Sequence, residues 1–285
     1  MNDSLLPATP TIKDWLDDAI HRLKENGTEQ PRLDAEIILA HTLKQPRTYL
    51  HAHPDQIIES RYRETADARL DLRLDKVPVA YIIGYKEFYR RKFKVTPATL
   101  IPRPESESLI DLLDRTLMKK PFSNKNNIKL VDVGTGSGCL GITAKLLFGD
   151  KLDVTLTDSS AAALKVATAN AEQHKVRVDI LQSDLLDEYP LEPDIILANL
   201  PYVDKSWPRS LETKHEPSSA LFAVDDGMSI IKRLIVQSAP LLGVGGCLII
   251  ESDPEQHVEL IEHAERNYLK NTDIQDYGLV FRKSK

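Results

Sequence analysis

The chain has little cysteine, no long apolar run and no leader-like N-terminus. Its two cysteines among 285 residues, Cys139 and Cys247, are too few for a disulfide framework or a four-cysteine zinc site, and we expect no metal. Because both lie in apolar segments that suit a core, the low cysteine content predicts a reducing, cytoplasmic compartment. No segment approaches the roughly 20 apolar residues of a membrane span, and the N-terminus lacks the pattern of a signal peptide. We therefore expect neither membrane association nor secretion.

An excess of positive charge is also absent, since 37 basic residues face 43 acidic ones and leave a net charge of −6. Nucleic-acid-binding proteins usually carry a basic face, so we expect no direct nucleic-acid substrate. The total hides an asymmetry: residues 1–75 carry −4, residues 76–95 carry +5 and residues 96–285 carry −7. The short basic segment between two acidic blocks requires an explanation.

Residues 1–75 show apolar spacing typical of helices and contain no glycine-rich turn. The pattern predicts three helices: one over about 12–23 with Thr11 and Asp14 as its cap, one over 32–44, and one over about 54–75 that begins at Pro54. We expect a small helical bundle. Residues 76–95 are rich in aromatic and β-branched residues, with Gly84 near the middle of Val79–Val95, and predict a β-hairpin linker.

Residues 96–285 carry a different pattern, in which strands and helices alternate. A helix that starts at Pro104 comes first, with Glu105 and Glu107 near the positive end of its dipole. The predicted strands are 128–133, 153–158, 176–182, 194–199, 246–251, 272–276 and 278–283, and the predicted helices are 139–148, 160–174, 227–241 and 254–268. This alternation predicts an α/β domain whose mostly parallel sheet is covered on both faces. The last two strands predict an antiparallel pair at one edge.

A glycine-rich turn, Asp132-Val-Gly134-Thr-Gly136-Ser-Gly138, joins the first of these strands to a helix. Glycine permits a tight turn and close approach of a ligand to the backbone. Two frames are open, because Gly136 to Gly141 match the dinucleotide fingerprint whereas Asp132 before the glycines suits S-adenosylmethionine. Asp158 ends the next strand and suits a ribose in either class, and Asp184 follows the third strand, where it can meet an adenine edge or form a solvated turn. Cys139, at the helix N-terminus, suits packing better than reactivity.

A tetrapeptide, Asn199-Leu200-Pro201-Tyr202, follows the predicted strand 194–199. An amide or aryl amine nitrogen is a poor nucleophile, because its lone pair is delocalised. The Asn199 side-chain oxygen and the Leu200 carbonyl can accept its two N–H bonds, and Pro201 restricts where that carbonyl points. Tyr202 offers a flat face for a planar group. These fixed acceptors suit methyl transfer to a planar nitrogen without a strong base, whereas an ordinary turn is the alternative.

Several segments together resemble the HemK/PrmC family, the protein-(glutamine-N5) methyltransferases that modify peptide chain release factors. They are Pro78–Gly84 with Glu87-Phe88, Leu100–Glu107, Asp132–Gly138, Asn199–Tyr202, and Glu216-Pro217 with Ala220–Phe222 and Asp226-Gly227. The resemblance implies a class I, Rossmann-like methyltransferase fold with a mostly parallel seven-stranded sheet. It also implies an N-terminal substrate-recognition domain over 1–75, a hairpin linker over 76–95 and a catalytic domain over 96–285.

The resemblance further implies an enzyme that uses S-adenosyl-L-methionine to methylate the Gly-Gly-Gln glutamine of class-1 release factors in translation termination. The implied cofactor-binding residues are Gly134, Thr135, Gly136, Ser137, Gly138, Asp158, Asp184, Leu185 and Asn199. The implied catalytic and substrate-binding residues are Asn199, Leu200, Pro201 and Tyr202, with Arg103 close to the substrate.

The sequence departs from the family pattern at two positions. Leu200 stands where the family usually has proline, but only its backbone carbonyl is required, so we expect activity to survive. Glu251 is followed by Ser-Asp-Pro, where the family tends to have glycine.

Three other functions remain as alternatives. A DNA or RNA adenine-N6 methyltransferase could use the same tetrapeptide, but it usually presents a basic face. A non-catalytic release-factor-binding protein has no need for Asn199, and a dehydrogenase rests on the glycine fingerprint alone. The basic residues Lys86, Arg90, Arg91, Lys92 and Lys94 either dock an acidic face of the release factor or form a solvated hairpin face.

Overall fold

The computed structural model describes residues 10–190, 192–203, 211–217 and 227–284. The chain divides after Gly84 into two compact units, Met1–Gly84 and Tyr85–Lys285. In the described part of the chain, no helix combines the length and the apolar character that crossing a bilayer requires.

The first unit is built from helices. They are α1 (Ile12–Glu25), α2 (Pro31–Leu43), α3 (Arg47–Ala52), α4 (Ser60–Leu74) and α5 (Val79–Ile83). The predicted cap of α1 is confirmed, since Thr11 and Asp14 form a reciprocal capping box. The core of the unit is apolar, with Trp15 donating its indole N–H to Asp67 over 2.7 Å. A buried ion pair between Arg73 and Asp34, at 2.6 Å, joins α4 to α2.

Two expectations for this unit are wrong. The helix predicted from Pro54 begins only at Ser60, because the residues before it pair in extended conformation with the start of α1; Ile58 N–H donates to the Pro10 carbonyl. The hairpin predicted over Val79–Val95 contains a helix in its first part. Gly84 ends that helix in the left-handed conformation, at φ 81°, which glycine adopts without a Cβ penalty.

The hairpin itself occupies only β1 (Tyr85–Phe88) and β2 (Arg91–Lys94), which pair antiparallel. Its turn is Tyr89-Arg90, and both residues have positive φ, as a type I′ turn requires. Neither residue is asparagine or glycine, which usually occupy such a turn.

The second unit carries a seven-stranded sheet in its described part. The strands are β3 (Ile128–Val133), β4 (Leu152–Asp158), β5 (Asp179–Gln182), β6 (Ile195–Ala198), β7 (Cys247–Glu251), β8 (Leu269–Gln275) and β9 (Gly278–Lys283). Their order is β5-β4-β3-β6-β7-β9-β8. The first five are parallel, and β9 is antiparallel to both of its neighbours. The predicted fold class is therefore confirmed, although β8 begins three residues before the predicted start.

Helices cover both faces of this sheet, because its central strands are buried on both sides. The helices are α6 (Glu107–Met118), α7 (Cys139–Phe148), α8 (Ala161–His174), α9 (Ser229–Leu241) and α10 (His257–Arg266). One buried cluster contains residues of the hairpin and of α6 to α8, and the other contains residues of α9 and α10. A short 3₁₀ turn, Pro104–Ser106, leads into α6 with proline at its start, as predicted.

Candidate active site

Apart from Arg103, the predicted site residues lie at or just after the carboxyl ends of adjacent parallel strands. Val133 at the end of β3 pairs with Thr157 on one side and Ala198 on the other. Ala198 in turn pairs with Ile250, next to the end of β7. The residues that follow these strands therefore meet at one edge of the sheet, which is the usual ligand crevice of open α/β folds.

The glycine turn after β3 takes a conformation that suits glycine at three positions. Gly134, Gly136 and Gly138 have φ values of 68°, 54° and 80°. A Cβ on Gly134 would lie 2.7 Å from Leu200 Cδ2, whereas a Cβ on Gly136 would meet nothing within 4 Å. Leu200 thus packs against the start of the turn, and Gly136 borders open space that a ligand can occupy.

The side chains of Thr135 and Ser137, both predicted to bind cofactor, are buried within this turn. Asp132 holds it together: its Oδ2 accepts the Thr135 hydroxyl over 2.6 Å and the Gly141 N–H over 2.9 Å. Its Oδ1 is buried and has no hydrogen-bond partner among the described residues. Burial raises the pKa of the Asp132 carboxyl to about 6. A buried acceptor without a hydrogen-bond partner, next to a glycine turn that borders open space, fits a cationic, nucleoside-bearing ligand such as S-adenosylmethionine.

Asp158 ends β4 at the rim of the same turn. Its Oδ2 accepts the Gly136 N–H and its Oδ1 accepts the Ser160 N–H, each over 2.9 Å. Burial raises the pKa of this carboxyl. Because a carboxylate oxygen can accept two hydrogen bonds, each oxygen retains capacity for a ribose hydroxyl. The geometry fits the predicted role, which stays a prediction.

The two residues predicted near the adenine lie after β5. Leu185 is buried and has a positive φ of 54°. Asp184 forms an ion pair with Arg233 of α9, and both side chains are about half exposed. Arg233 is a partner that the sequence did not reveal.

Asn199, at the end of β6, has a side-chain amide whose orientation is set by its surroundings. Its Nδ2 donates to Ser106 Oγ over 2.7 Å and to Glu251 Oε2 over 3.0 Å. Glu251 is 1% exposed and its Oε1 accepts the Tyr202 hydroxyl over 3.0 Å. Since Nδ2 must face these acceptors, Oδ1 faces the opposite way. The predicted acceptor role of Asn199 therefore has a geometric basis.

Tyr202, the last residue of the tetrapeptide, is fixed by contacts to its backbone carbonyl and to its hydroxyl. The Tyr202 carbonyl accepts the Gln256 side-chain N–H over 2.9 Å. A Cβ on Gly227 would lie 2.2 Å from the same carbonyl oxygen, so only glycine fits there. Burial, followed by the charge of Glu251, raises the pKa of the Tyr202 phenol well above its usual value, so the hydroxyl stays protonated.

Arg103 lies in the segment before α6 and is committed to a partner. Its Nη2 donates to Glu216 Oε1 over 2.6 Å, and the other oxygen of Glu216 accepts the Ile101 N–H over 3.3 Å. The Arg103 side chain is 35% exposed, whereas Glu216 is buried. The pair ties residues 101–103 to the segment Leu211–His215 and its end. Ala220–Phe222 and Asp226 lie outside the described residues.

Sequence reasoning missed the partners that position these groups, namely Ser106, Glu216 and Glu251. Glu251 could be placed beside Asn199 only from the strand order, in which β7 lies next to β6 and the residues that end both strands share one sheet edge. The thiol of Cys139 has a pKa raised to about 12 by burial, which agrees with packing and not with reactivity. In the described residues, no group of three or more His, Cys, Asp or Glu side chains could hold a metal ion.

The hairpin carries its basic residues on two faces. The register places Tyr85 opposite Lys94 and Glu87 opposite Lys92. These four share the outer face, where Lys92 lies over the Tyr85 ring at 4.5 Å. Phe93 and Phe88 are buried on the inner face. The positive charge is thus divided between the outer face and the rest of the hairpin, and Glu87 offsets part of the charge of the outer face.

Asn170 of α8 joins the hairpin to the glycine turn. Its Oδ1 accepts the Lys94 N–H over 2.7 Å, and its Nδ2 donates to the Lys94 carbonyl over 3.0 Å and to the Ser137 carbonyl over 2.8 Å. The side chain is fully buried. A single amide therefore bonds the backbones of both segments.

The sheet order, the glycine turn after β3 and the acid after β4 define the class I methyltransferase fold. A methyltransferase from Pyrococcus furiosus shares this fold with a TM-score of 0.51 and 16% identity, over 77% of this chain and 98% of that one. Residues 106–214 match the family model described as methyltransferase small domain.

The family of the chain is shown by its N-terminal residues and by relatives that cover most of its length. Residues 14–84 match the PrmC N-terminal domain. The release factor glutamine methyltransferase of Coxiella burnetii is 34% identical over 90% of this chain and 91% of that protein. Its counterpart in Rhodopirellula baltica is 40% identical over 81% of this chain and 80% of that protein. The chain belongs to the release factor glutamine methyltransferase family.

Proposed function

We propose that this chain transfers a methyl group from S-adenosyl-L-methionine to the side-chain amide nitrogen, N5, of the glutamine in the Gly-Gly-Gln motif of class-1 peptide chain release factors. The observation that carries the proposal is the orientation of the Asn199 amide, which turns Nδ2 inward and Oδ1 outward. Family membership supports the same substrate, since the relatives are named for it.

The tetrapeptide supplies the groups that this chemistry needs. When bound, S-adenosylmethionine provides an electrophilic methyl group. Asn199 Oδ1 and the Leu200 carbonyl accept the two N–H bonds of the glutamine amide and hold the nitrogen for attack. Pro201 limits the backbone of Leu200, and the Tyr202 ring packs on the planar amide. Catalysis then rests on position and fixed dipoles, for which losses of 10²–10³-fold per acceptor are typical.

The cofactor is held at the glycine turn in this proposal. Gly134, Thr135, Gly136, Ser137 and Gly138 line its methionine moiety, with Asn199 close by. The carboxylate of Asp158 accepts the ribose hydroxyls. Asp184 and Leu185 lie near the adenine. Support comes from the open space at Gly136 and the spare acceptor capacity of Asp158.

The remaining parts of the chain serve the protein substrate. The N-terminal helical unit recognises the body of the release factor, and Arg103, fixed by Glu216, lies at the entrance for the Gly-Gly-Gln segment. A release factor acts in translation, so we place the reaction in the cytoplasm.

Mass spectrometry of a release factor after incubation with enzyme and S-adenosylmethionine tests the proposal. We expect one methyl group on the Gly-Gly-Gln glutamine. The variant Asn199→Ala should lower kcat by about 100-fold or more, because it removes one of the two acceptors, while calorimetry shows nearly unchanged cofactor affinity. Asn126→Ala, an exposed asparagine outside the site, is the matched control and should retain full activity.

Two results would contradict the proposal. Methylation of adenine in nucleic acid, with none in the release factor, would establish the alternative methyltransferase. Full turnover by the Asn199 variant would show that its carbonyl is not an acceptor for the reacting amide.

A further inference from the structure

Glu251 is a buried carboxylate surrounded by polar groups from separate parts of the chain. It ends β7, accepts hydrogen bonds from the Asn199 amide and the Tyr202 hydroxyl, and has the Ser106 side chain beside it. Among the described residues no cation pairs with it, and burial, opposed by these bonds, raises the pKa of its carboxyl. A buried carboxylate without a cation is unfavourable for folding. Its presence at the site therefore points to a role beyond stability.

The hydrogen-bond chemistry of this group determines the direction of the Asn199 amide. A carboxylate only accepts, so it can face Nδ2 of Asn199 but not Oδ1. The Ser106 hydroxyl oxygen accepts the other Nδ2 proton over 2.7 Å. A flipped amide would set its oxygen against Glu251 Oε2, where 3.0 Å now separates donor and acceptor. Only the orientation with Nδ2 toward Glu251 and Ser106 satisfies both hydrogen bonds of the Asn199 amide.

We propose that Glu251 is a positioning residue: its carboxylate, together with Ser106, holds the Asn199 amide with Oδ1 toward the substrate. This inference rests on the proposed function for its kinetic consequence, but its structural part concerns Asn199 alone. A glutamine at this position can present either an oxygen or an NH₂ group. The orientation of Asn199 then ceases to be unique.

The principal test is Glu251→Gln, which keeps size and hydrogen bonding but removes the carboxylate. We expect kcat for release-factor methylation to fall by about 100-fold, with KM and cofactor affinity within about threefold. Glu265→Gln, an exposed substitution with the same charge change, should retain wild-type kinetics. A wild-type kcat in the Glu251 variant would overturn the inference.

A double-mutant cycle separates positioning from a merely structural role. If Glu251 acts through Asn199, the double variant of Glu251→Gln with Asn199→Ala is no slower than Asn199→Ala alone. Losses that multiply would overturn the inference. Should Glu251→Gln fail to fold, Ser106→Ala provides a second variant, because it removes one acceptor of Nδ2 and should lower kcat about tenfold. Unchanged kcat in that variant would equally count against the proposal.

A measurement on the folded protein keeps the inference distinct from the proposed function. The Asn199 side-chain amide signal in a ¹⁵N–¹H spectrum, assigned by its loss in Asn199→Ala, should exchange slowly with solvent in the wild type and at least tenfold faster in Glu251→Gln. Equal exchange rates would refute positioning by Glu251. If the wild type methylates no release factor, the proposed function fails, whereas this exchange result still decides the role of Glu251.

Discussion

At the scale of single residues, the site depends on carboxylates with different surroundings. Asp158 accepts two backbone N–H groups at the rim, Glu251 accepts the Asn199 amide and the Tyr202 hydroxyl in the interior, and Asp132 accepts the Thr135 hydroxyl and the Gly141 N–H within the turn. Each of the three thus fixes the polar groups around it, and Asp158 retains acceptor capacity for a ligand as well.

Asp132 makes the stability of the fold depend on pH. Its pKa of about 6 in the folded protein exceeds the 3.8 of the free side chain, so the folded state binds the proton more tightly. This contribution to stability is present in full below about pH 4 and is lost as the pH rises through 6. Two pKa units correspond to roughly 3 kcal/mol.

Urea unfolding of the wild type and Asp132→Asn between pH 4 and 8 measures this effect. The free energy of unfolding of the wild type, taken relative to the variant, should fall by roughly 3 kcal/mol across that range. Asp153→Asn, an exposed change on the neighbouring strand β4, should give parallel curves. Parallel curves for Asp132→Asn would instead mean that its carboxyl titrates normally.

At the scale of elements, the sequence predicts the bounds of those helices and strands that a local pattern marks. The bounds of β3 and α7 agree with those predicted, because a short apolar run and a glycine turn mark them. The helix α5 was mistaken for a strand, since its β-branched residues suit either structure and only Gly84 as a cap distinguishes them. The early start of β8 could not be read from its polar residues, because pairing with β9 determines it.

The residues of the candidate site likewise divide into those that a local motif identifies and those that depend on the tertiary fold. Gly134, Asp158 and Asn199 follow strands and are identified by motif. Ser106 and Glu251 reach Asn199 from positions 93 and 52 residues away in sequence. Their proximity depends on the strand order, in which β7 lies beside β6, and no local pattern states that order.

The glycine turn predicts a specific sensitivity at Gly136. Alanine there must adopt a φ of 54°, which costs about 1–2 kcal/mol, and its methyl group would enter the open space assigned to cofactor. Gly136→Ala should therefore unfold at lower denaturant and bind S-adenosylmethionine at least tenfold more weakly. Gly243→Ala, where a Cβ meets nothing within 4 Å and no positive φ is required, should change neither measurement. Wild-type affinity in Gly136→Ala would place the cofactor elsewhere.

At the scale of the whole molecule, charge is distributed unevenly along the chain. Residues 96–285 carry −7, whereas the hairpin of 85–94 is basic. The structure separates its charges, with Lys92 and Lys94 outward and Arg90 at the exposed turn. The turn, with Arg90, and the outer face, with Lys92 and Lys94, are therefore two separate candidate docking surfaces.

Charge reversal at the turn tests docking. Arg90→Glu with Arg91→Glu should raise KM for a whole release factor about tenfold, and leave KM for a short Gly-Gly-Gln peptide nearly unchanged. The electrostatic cause predicts a smaller effect at high salt. Lys165→Glu with Arg177→Glu changes the net charge equally at exposed positions and should alter neither KM. Equal effects on both substrates would exclude docking at the turn.

The bridge formed by Asn170 has a consequence for the order of events in a catalytic cycle. A protein that restrains Lys94 also restrains Ser137, since one amide bonds both backbones. Thermodynamic linkage is reciprocal, so a cofactor that orders the turn favours the engaged hairpin by the same factor. The two substrates would then bind cooperatively, and loss of either would weaken retention of the other.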